Sequence, residues 1–420
     1  MKDNAIHVFV DLGKTSHYVG QLWSHVHKRT GRASFQYDPN WLKNPERFAL
    51  EPALTLTEGT YHTETDRLLF GAMNDSAPDQ WGRILMRRAE ACRARKAKET
   101  PRSLTELDYL LNVSDIARQG ALRFAEDVQG PFLQPPNASS IPPLINLPKL
   151  LSATEKLLNN KENEEDLKLL LAPGASLGGA RPKASIIDKD GHLSIAKFPK
   201  EGDEFSTVLW ESVALTLASY AGITAPEWHL EIVTKKPVLI VKRFDREGNH
   251  RIPFLSAMSM LGAKDGDQHS YLEIIDAIKQ YGSIPKQDTA SLWRRMVFNI
   301  LISNTDDHLR NHGFLYERCK GWKLSPVYDI NPTSTLIKPR ILTTTIDLDD
   351  GTASLDLALS VAAEFGISQI EAKKIAHEVG IATSKWDSIA RKHRICSSEI
   401  EQMTSAFNHA DLKQALQLSI

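Results

Sequence analysis

The sequence has little of what marks secreted or membrane-spanning proteins. Its 420 residues include three cysteines, Cys92, Cys319 and Cys396, which lie far apart, so neither a disulfide framework nor a zinc site is expected. No apolar run reaches the roughly 18 residues that a membrane span needs. The N-terminal segment also lacks the apolar stretch of a signal peptide. These absences predict a cytoplasmic protein without membrane contact.

Net charge is also nearly absent. The formal value of −1 creates no overall field that would draw the chain to DNA or anionic lipid, so a nucleic-acid role needs a local patch or a partner. Residues 79–98 are a candidate patch, because eight Lys or Arg lie between Arg83 and Arg102. This stretch fits the solvated face of an amphipathic helix, or a contact for an acidic partner or nucleic acid.

The length and the proline distribution predict more than one domain. A chain of 420 residues is too long for one ordinary core, so two domains or a large bilobal one are expected. Hydrophobic residues make up 41% and charged residues 25%, as in globular proteins. Residues 126–150 contain six prolines, which neither a helix nor a central strand tolerates. We therefore predict a boundary or a long connection there.

Apolar periodicity predicts the main elements. Residues 5–37 alternate like strands separated by glycine and small polar residues, which indicates a β-meander. Residues 147–172 have the pattern of two helices joined by an acidic turn, and residues 352–418 are helical in pattern.

A glycine-rich loop precedes two predicted strands in residues 173–199. The loop contains Gly174, Gly178 and Gly179, and the turn "DKDG" joins the strands "KASIID" and "HLSIAKF". Successive backbone N–H groups of such a loop can cradle phosphate oxygens. No G-K-[ST] follows, so this is not a Walker A motif, and a plain turn is the alternative.

The segments after this loop follow the order of a kinase small lobe. Lys197 ends the second strand, where such lobes place a lysine on nucleotide phosphates; a lysine that points to solvent is the alternative. The next predicted helix has Glu211 in its middle, which could pair with that lysine or lie on the surface. Two strand patterns then lead into Lys242, Arg243 and Phe244, a candidate hinge beside an adenine. Phe244 could equally be a core aromatic.

The stretch "SNTDDHLRN" follows an apolar helical pattern. Asp306 and Asn311 are five residues apart, as are the base and the magnesium-binding asparagine of protein-kinase catalytic loops. Asp329, in "PVYDINP", suits a second magnesium ligand, because Mg²⁺ prefers oxygen atoms. A polar turn at the end of a buried helix is the alternative for each part alone, but their order favours a kinase-like ATP site.

These motifs resemble those of the HipA-type toxin kinases of bacterial toxin–antitoxin modules. The resemblance is carried by "SLGGARPK", "ISNTDDHLRNHGFL" and "PVYDINP", and by "FGAMNDSAPDQWGR" nearer the N-terminus. It extends over about residues 5 to 410, and the catalytic-loop motif is its most specific part.

The resemblance implies roles for matching residues. Asp306 matches the catalytic base, Asn311 and Asp329 match the magnesium ligands, and Ser176 matches a serine that such kinases autophosphorylate in trans. The residues matched to ATP contacts are Gly178, Gly179, Ala180, Arg181, Lys183, Lys197, Lys242, Arg243, Phe244, His308, Asn311, Tyr328 and Asp329. His308 could brace the loop by a hydrogen bond, whereas Asp307 receives no role.

The implied fold is α+β: a bilobal, protein-kinase-like fold with an N-terminal β-rich subdomain and a helical C-terminal lobe. Its expected parts are an N-terminal subdomain over 1–125, a proline-rich connector over 126–150, a small lobe over 151–245 and a helical large lobe over 246–420.

The implied function is that of a growth-inhibiting protein serine/threonine kinase that uses ATP and Mg²⁺. Its substrates would be an aminoacyl-tRNA synthetase and its own Ser176. A separate helix-turn-helix antitoxin is the expected partner, and DNA would be reached only through it. Two alternatives stay open: a co-repressor module with weak catalysis in an antitoxin–DNA complex, and a small-molecule or lipid kinase.

Overall fold

The computed structural model describes residues 5–27, 30–65, 67–134, 141–174 and 179–418 of the chain. The strands are β1 (Ile6–Leu12), β2 (Thr15–His27), β3 (Thr30–Tyr37), β4 (Thr60–His62), β5 (Leu122–Ala125), β6 (Lys183–Ile187), β7 (Leu193–Lys197), β8 (Trp228–Val233), β9 (Lys236–Lys242), β10 (Arg246–Glu247), β11 (His250–Arg251), β12 (Phe254–Ser256), β13 (Gly313–Glu317) and β14 (Gly321–Leu324). The helices are α1 (Pro39–Lys43), α2 (Gly71–Asn74), α3 (Gln80–Ala97), α4 (Glu106–Leu111), α5 (Leu147–Leu158), α6 (Glu164–Gly174), α7 (Thr207–Tyr220), α8 (Ala257–Met260), α9 (Tyr271–Tyr281), α10 (Pro285–Leu301), α11 (Leu355–Ser360), α12 (Gln369–Thr383), α13 (Trp386–Lys392), α14 (Ser397–Phe407) and α15 (Ala410–Gln417).

The chain divides into two compact units. The first comprises Met1–Gly202 and Trp228–Leu255, and the second comprises Asp203–Glu227 and Ser256–Ile420. No helix within the described ranges is long and apolar enough to cross a membrane.

An antiparallel sheet with the order β4-β3-β2-β1-β5 forms part of the first unit. The predicted β-meander over residues 5–37 is confirmed by β1, β2 and β3. The alternation of buried and exposed side chains explains this meander, because Val8 and Val10 of β1 are fully buried while His7 is partly exposed. Gly20 of β2 is required by space, since a Cβ atom there would lie 2.1 Å from the carbonyl oxygen of Gln36.

A second antiparallel sheet of the first unit has the order β6-β7-β9-β8. Helices α5 and α6, the predicted helical pair, share an apolar core with this sheet. Leu150, Leu170, Ile186 and Ile240 belong to that core, and each is at most 1% exposed. Trp81 of α3 closes the cluster and donates a hydrogen bond from Nε1 to the carbonyl oxygen of Lys183 at 2.9 Å. The core thereby fixes the start of β6.

The second unit is mostly helical, as predicted for residues 352–418. Its aromatic core stacks Trp386 on Phe407, with ring centroids 4.6 Å apart. Trp210 of α7 lies 6.1 Å from Phe407, and its Nε1 donates to Glu399 at 2.8 Å. These contacts explain why α7 belongs to the second unit, although the sequence placed it in a small lobe over 151–245. The four predicted segments otherwise stay a prediction.

The basic stretch 79–98 forms most of α3, and ion pairs neutralise much of it. Of the eight cations from Arg83 to Arg102, five have carboxylate partners within the first unit. The pairs are Arg83–Glu106, Arg88–Glu162, Arg93–Glu90, Lys96–Glu164 and Arg102–Asp108. Of the two predicted roles, these pairs favour a solvated helix face over a nucleic-acid contact.

Glu51 is a buried carboxyl group in the first unit. It is 2% exposed, and its Oε2 accepts a hydrogen bond from the backbone N–H of Ala72 at 2.6 Å. Burial raises the pKa of Glu51 to about 7, although the hydrogen bond from Ala72 and the charge of Arg67 oppose the rise. The folded state therefore binds this proton more tightly than the unfolded state does.

We predict that Glu51 makes the first unit less stable as pH rises from about 4.5 to 7. Its contribution is complete below the unfolded pKa of about 4.3 and disappears as pH approaches the folded value, a loss of up to about 3 kcal/mol. Glu51→Gln should flatten the urea-unfolding free energy across this range, whereas the exposed control Glu58→Gln should leave the slope unchanged. Equal slopes in all three proteins would contradict the prediction.

Candidate functional site

Helix α10 leads directly into the candidate site. Its last two turns are mostly apolar and buried, with Phe298, Ile300 and Leu301 at most 1% exposed. The helix ends at Leu301, and Ser303 adopts a left-handed φ of +53°. Ser303 Oγ donates to the carbonyl oxygen of Ala406 at 2.7 Å and accepts from Arg340 Nε at 2.9 Å. The exit from the helix is therefore held on two sides.

The turn that follows brings Asp306 and Asn311 together. Asn311 Nδ2 donates to the carbonyl oxygen of Asp306 at 3.0 Å. Two backbone bonds at 2.9 and 2.8 Å close the turn, from His308 N to Asp306 O and from Asn311 N to His308 O. The Asp306 side chain is exposed, and Asn311 is partly buried. The spacing predicted from sequence thus corresponds to a compact loop with an accessible carboxylate.

Asp307, which had no role in the sequence analysis, anchors this loop. It is 2% exposed, Tyr271 OH donates to its Oδ2, and His312 Nε2 lies 3.0 Å from its Oδ1. Its carbonyl oxygen accepts from Thr344 N at 3.0 Å and from Thr344 Oγ1 at 2.6 Å. The two neighbouring aspartates therefore have opposite environments, one in the core and one in solvent.

The anchor belongs to a buried polar chain. Asn299 Nδ2 donates to Tyr271 OH at 3.0 Å, and Asn304 Nδ2 donates to Asn299 Oδ1 at 3.1 Å. Burial raises the pKa of Asp307, but the nearby His312 and the hydrogen bond from Tyr271 outweigh burial, so the pKa lies below its usual range. Burial and the charge of Asp307 raise the pKa of Tyr271 well above its usual value. Tyr271 is therefore the donor and Asp307 the charged acceptor.

The bracing hydrogen bond predicted for His308 is not made by its Nδ1. Its Nδ1 is buried and has no hydrogen-bond partner among the described residues, and its contribution to the turn comes from the backbone. The bracing role belongs to Asp307, because that carboxylate reaches a partner on α9 and its carbonyl oxygen reaches Thr344. A contact of His308 with ATP stays a prediction.

Asp329 lies on a segment that is tied to the same loop. Tyr328 OH donates to the carbonyl oxygen of Arg310 at 2.6 Å, and Asn331 N lies 3.4 Å from Asn304 Oδ1. Asp329 itself has a φ of +56°, a conformation that residues other than glycine adopt rarely and often at functional sites. The loop and this segment together offer carboxylate and amide oxygens, the ligand chemistry that Mg²⁺ prefers.

The first unit contains the other predicted phosphate contacts. Gly179 has a φ of +87°, its N–H donates to Asp79 Oδ2 at 2.8 Å, and its carbonyl oxygen accepts from Trp81 N at 3.1 Å. Ala180 and Arg181 are exposed. The end of the glycine-rich loop is therefore attached to the start of α3, while Ser176 and Gly178 lie outside the described residues.

Lys183 and Lys197 face each other across β6 and β7. They are direct Cα partners in the ladder, and Lys183 is 6% exposed while Lys197 is partly buried. Like charges in directly opposed cross-strand positions repel each other, so an anion beside them would be stabilising. The predicted ion pair between Lys197 and Glu211 stays a prediction; Glu211 is buried on α7.

The segment predicted as an adenine hinge has a structural arginine at its centre. The Arg243 guanidinium is 5% exposed, donates to both carboxylate oxygens of Asp245 and also bonds to the carbonyl oxygen of Ala117. Asp245 accepts in addition from Arg246 NH1 and from Gly120 N, both at 2.8 Å. The side chain of Arg243 is thus committed to the fold, and a contact of Arg243 with ATP stays a prediction.

Lys242 and Phe244 keep their hinge assignment as a prediction. The Phe244 ring is partly buried, with its centroid 6.3 Å from that of Phe254. Sequence reasoning missed Asp79, Trp81, Tyr271 and Asp245. Asp79, Trp81 and Tyr271 bond to residues that lie 36 to 102 positions away, so no local pattern indicates them, whereas Asp245 pairs with the nearby Arg243 and Arg246 as well as with the distant Gly120.

Comparisons with known proteins agree with these motifs. Residues 12–116 match the model of the HipA N-terminal domain, and residues 175–386 match that of the HipA-like C-terminal domain. "Putative kinase Y4mE" of Sinorhizobium fredii is 24% identical over 75% of this chain and 75% of its own. A Haemophilus influenzae protein named "Putative kinase" is 27% identical over 41% of this chain and 56% of its own.

A solved structure shares the fold. The HipA chain in the Shewanella oneidensis complex of HipA, HipB and operator DNA superposes with a TM-score of 0.64 at 14% identity. The alignment covers 98% of this chain and 96% of that one. This likeness confirms the predicted α+β, kinase-like fold class.

We predict that Tyr271→Phe weakens the anchor of the loop. Removing the hydroxyl leaves a buried oxygen of Asp307 and the Nδ2 of Asn299 without their partner, which costs about 1–3 kcal/mol. Urea unfolding measures the loss, and Tyr220→Phe, at a side chain that is 56% exposed, is the matched control. An unchanged unfolding midpoint in Tyr271→Phe would show that the hydroxyl is dispensable.

A second prediction concerns the Arg243–Asp245 pair. Asp245→Ala leaves two buried guanidinium groups without their carboxylate, so we expect a loss of about 3–5 kcal/mol of unfolding free energy. Asp387→Ala removes the exposed partner of Arg391 and should cost at most about 1 kcal/mol. Similar losses in the two variants would contradict a structural role of the buried pair.

Proposed function

Because the chain belongs to the HipA family, we propose that it is a protein serine/threonine kinase that uses ATP and Mg²⁺. The observation that carries the proposal is the loop in which exposed Asp306 is held beside Asn311 by the buried anchor Asp307. Phosphoryl transfer needs mainly positioning and charge stabilisation, and a loop with one fixed conformation provides positioning. The names of the two curated relatives support the same activity.

Each group has a defined task in this proposal. Asp306 accepts the proton of the substrate hydroxyl, because its carboxylate is accessible and its backbone is fixed by Asn311. Asn311 and Asp329 supply the amide and carboxylate oxygens that would hold Mg²⁺, which neutralises phosphate charge when bound. Lys183 and Lys197 contact the ATP phosphates, and the two cations opposed across the ladder support this role.

The proposed substrates are an aminoacyl-tRNA synthetase and Ser176 of the chain itself. A phosphate on Ser176 would add about −1.5 to −2 charges to the glycine-rich loop and so oppose binding of the ATP phosphates. The proposed partner is a helix-turn-helix antitoxin, in line with the HipB chain and operator DNA of the Shewanella oneidensis complex. The proposed effect is inhibition of growth in the cytoplasm.

We predict that Asp306→Asn lowers phosphoryl transfer by about 10²–10⁴-fold, because an amide cannot accept the proton of the substrate hydroxyl. ATP affinity should stay unchanged, because the proposal gives this side chain no contact with the nucleotide. Transfer of labelled phosphate and calorimetric ATP binding are measured on the same preparation. Asp349→Asn, an exposed aspartate of the same unit, is the control and should match the wild type. Transfer near the wild-type rate in Asp306→Asn would overturn its assignment as the base.

The substrate class is tested by incubating the chain with labelled ATP and a bacterial lysate. Label on a protein band of synthetase size, absent with Asp306→Asn, supports the proposal. Label on lipid or small molecules alone would contradict it. Mass spectrometry of the purified chain after ATP treatment tests phosphorylation of Ser176 separately.

A further inference from the structure

A polar cavity lies in the second unit, apart from the loop residues assigned above. Its volume is about 310 Å³, and its walls are α10, α12 and the segment after α7. The polar side chains that matter here are Ser291, Arg294, Arg295, Glu371, Lys374 and Glu378. This volume is at the lower end of the range of about 300–1,000 Å³ that is typical of small-molecule sites.

Arg295 is the unusual member of this wall. Its side chain is 5% exposed, and its guanidinium donates from NH2 to the carbonyl oxygen of Ser325. Its Nε is buried and has no hydrogen-bond partner, and Arg295 forms no ion pair with a carboxylate in the described part of the chain. A buried charge without a paired anion is strongly unfavourable. Burial lowers the pKa of Arg295 to about 10, although the charge of Asp288 and, less strongly, that of Asp307 oppose the fall, so the group is still cationic at neutral pH.

The neighbouring Arg294 is an example of a cation whose charge is paired within the protein. Arg294 donates to Glu378 Oε2 at 2.8 Å and to the carbonyl oxygen of Ala221 at 2.9 Å. Glu378 is thereby occupied by Arg294, and Arg295 and Lys374 line the cavity as two further cations. Glu371 is the only other carboxylate in the cavity wall within the ranges the structure describes.

We infer that this cavity is a binding site for a small phosphomonoester, with its phosphate against Arg295 and Lys374. A phosphate dianion would supply the paired anion that Arg295 lacks and can accept several hydrogen bonds. Bare phosphate would fill only part of the cavity. Glu371 and Ser291 can accept hydrogen bonds from ligand hydroxyl groups, which favours a phosphate ester of a polyol over an apolar ester.

Two connections along the chain link the wall of the cavity to the candidate active site. Arg295 lies on α10, the helix that ends at the Asp306–Asn311 loop, and its one hydrogen bond goes to Ser325, four residues before Asp329. The cavity wall is therefore continuous with the two segments that carry Asn311 and Asp329. This inference does not depend on the proposed kinase activity, because binding is measured directly.

The test compares Lys374→Glu with the matched control Lys373→Glu. Both lysines are exposed on α12, but only Lys374 lines the cavity. Glucose 6-phosphate, inorganic phosphate and glucose are titrated by calorimetry at constant ionic strength, and unfolding midpoints are recorded. We expect glucose 6-phosphate to bind and raise the midpoint, glucose to have no effect, and Lys374→Glu to lose about tenfold in affinity while Lys373→Glu does not.

Other outcomes overturn the inference. If neither phosphate compound binds, or if the two lysine variants lose affinity equally, the cavity is not a phosphate site. If inorganic phosphate binds as tightly as glucose 6-phosphate, the assignment of an ester is wrong. Arg295→Gln gives a second variant that should abolish binding. The lysine comparison is decisive without it, because Lys374 is exposed and its substitution does not disturb the core.

Discussion

The buried carboxylate of Asp307 is the constraint on which the candidate site depends. A charged group in the core is stable only where several partners meet it, and Tyr271 and His312 meet this one. Its carbonyl oxygen is fixed as well, by Thr344. With Asp307 directed into the core, Asp306 is directed into solvent, and the turn that holds Asn311 has little freedom. The conformation of the Asp306–Asn311 loop is therefore determined by contacts in the protein core.

The sequence predicted the local part of this site and could not predict the rest. Asp306 and Asn311 are close because a short turn joins them, so their spacing alone was informative. The tandem pair of aspartates gave no indication of which is buried, since that depends on Tyr271, 36 residues earlier in the chain. For the same reason His308 was the better candidate brace from sequence, although its buried Nδ1 makes no such hydrogen bond among the described residues.

Prediction of the fold from sequence was likewise limited to local features. The strands over residues 5–37 and the helical pair over 147–172 follow from periodicity, which is local. The assignment of α7 to the second unit follows from Trp210, whose partners Glu399 and Phe407 lie almost 200 residues away. The sequence of the basic helix α3 did not indicate its acidic partners, because Glu162 and Glu164 come from a later segment of the chain. A run of like charges in the sequence can therefore be neutralised by partners that are distant along the chain.

The partners of a buried cation also distinguish a structural cation from a ligand-binding one. Arg243 and Arg295 are equally buried, at 5% exposure each, yet Arg243 bonds to both oxygens of Asp245 and Arg295 to a single carbonyl oxygen. The first arrangement is complete within the protein, so a nucleotide would gain nothing from that side chain. The second is incomplete, so an anion in the adjoining cavity would stabilise it. The same electrostatic rule therefore identifies the side chain of one buried arginine as structural and favours the other as a ligand contact.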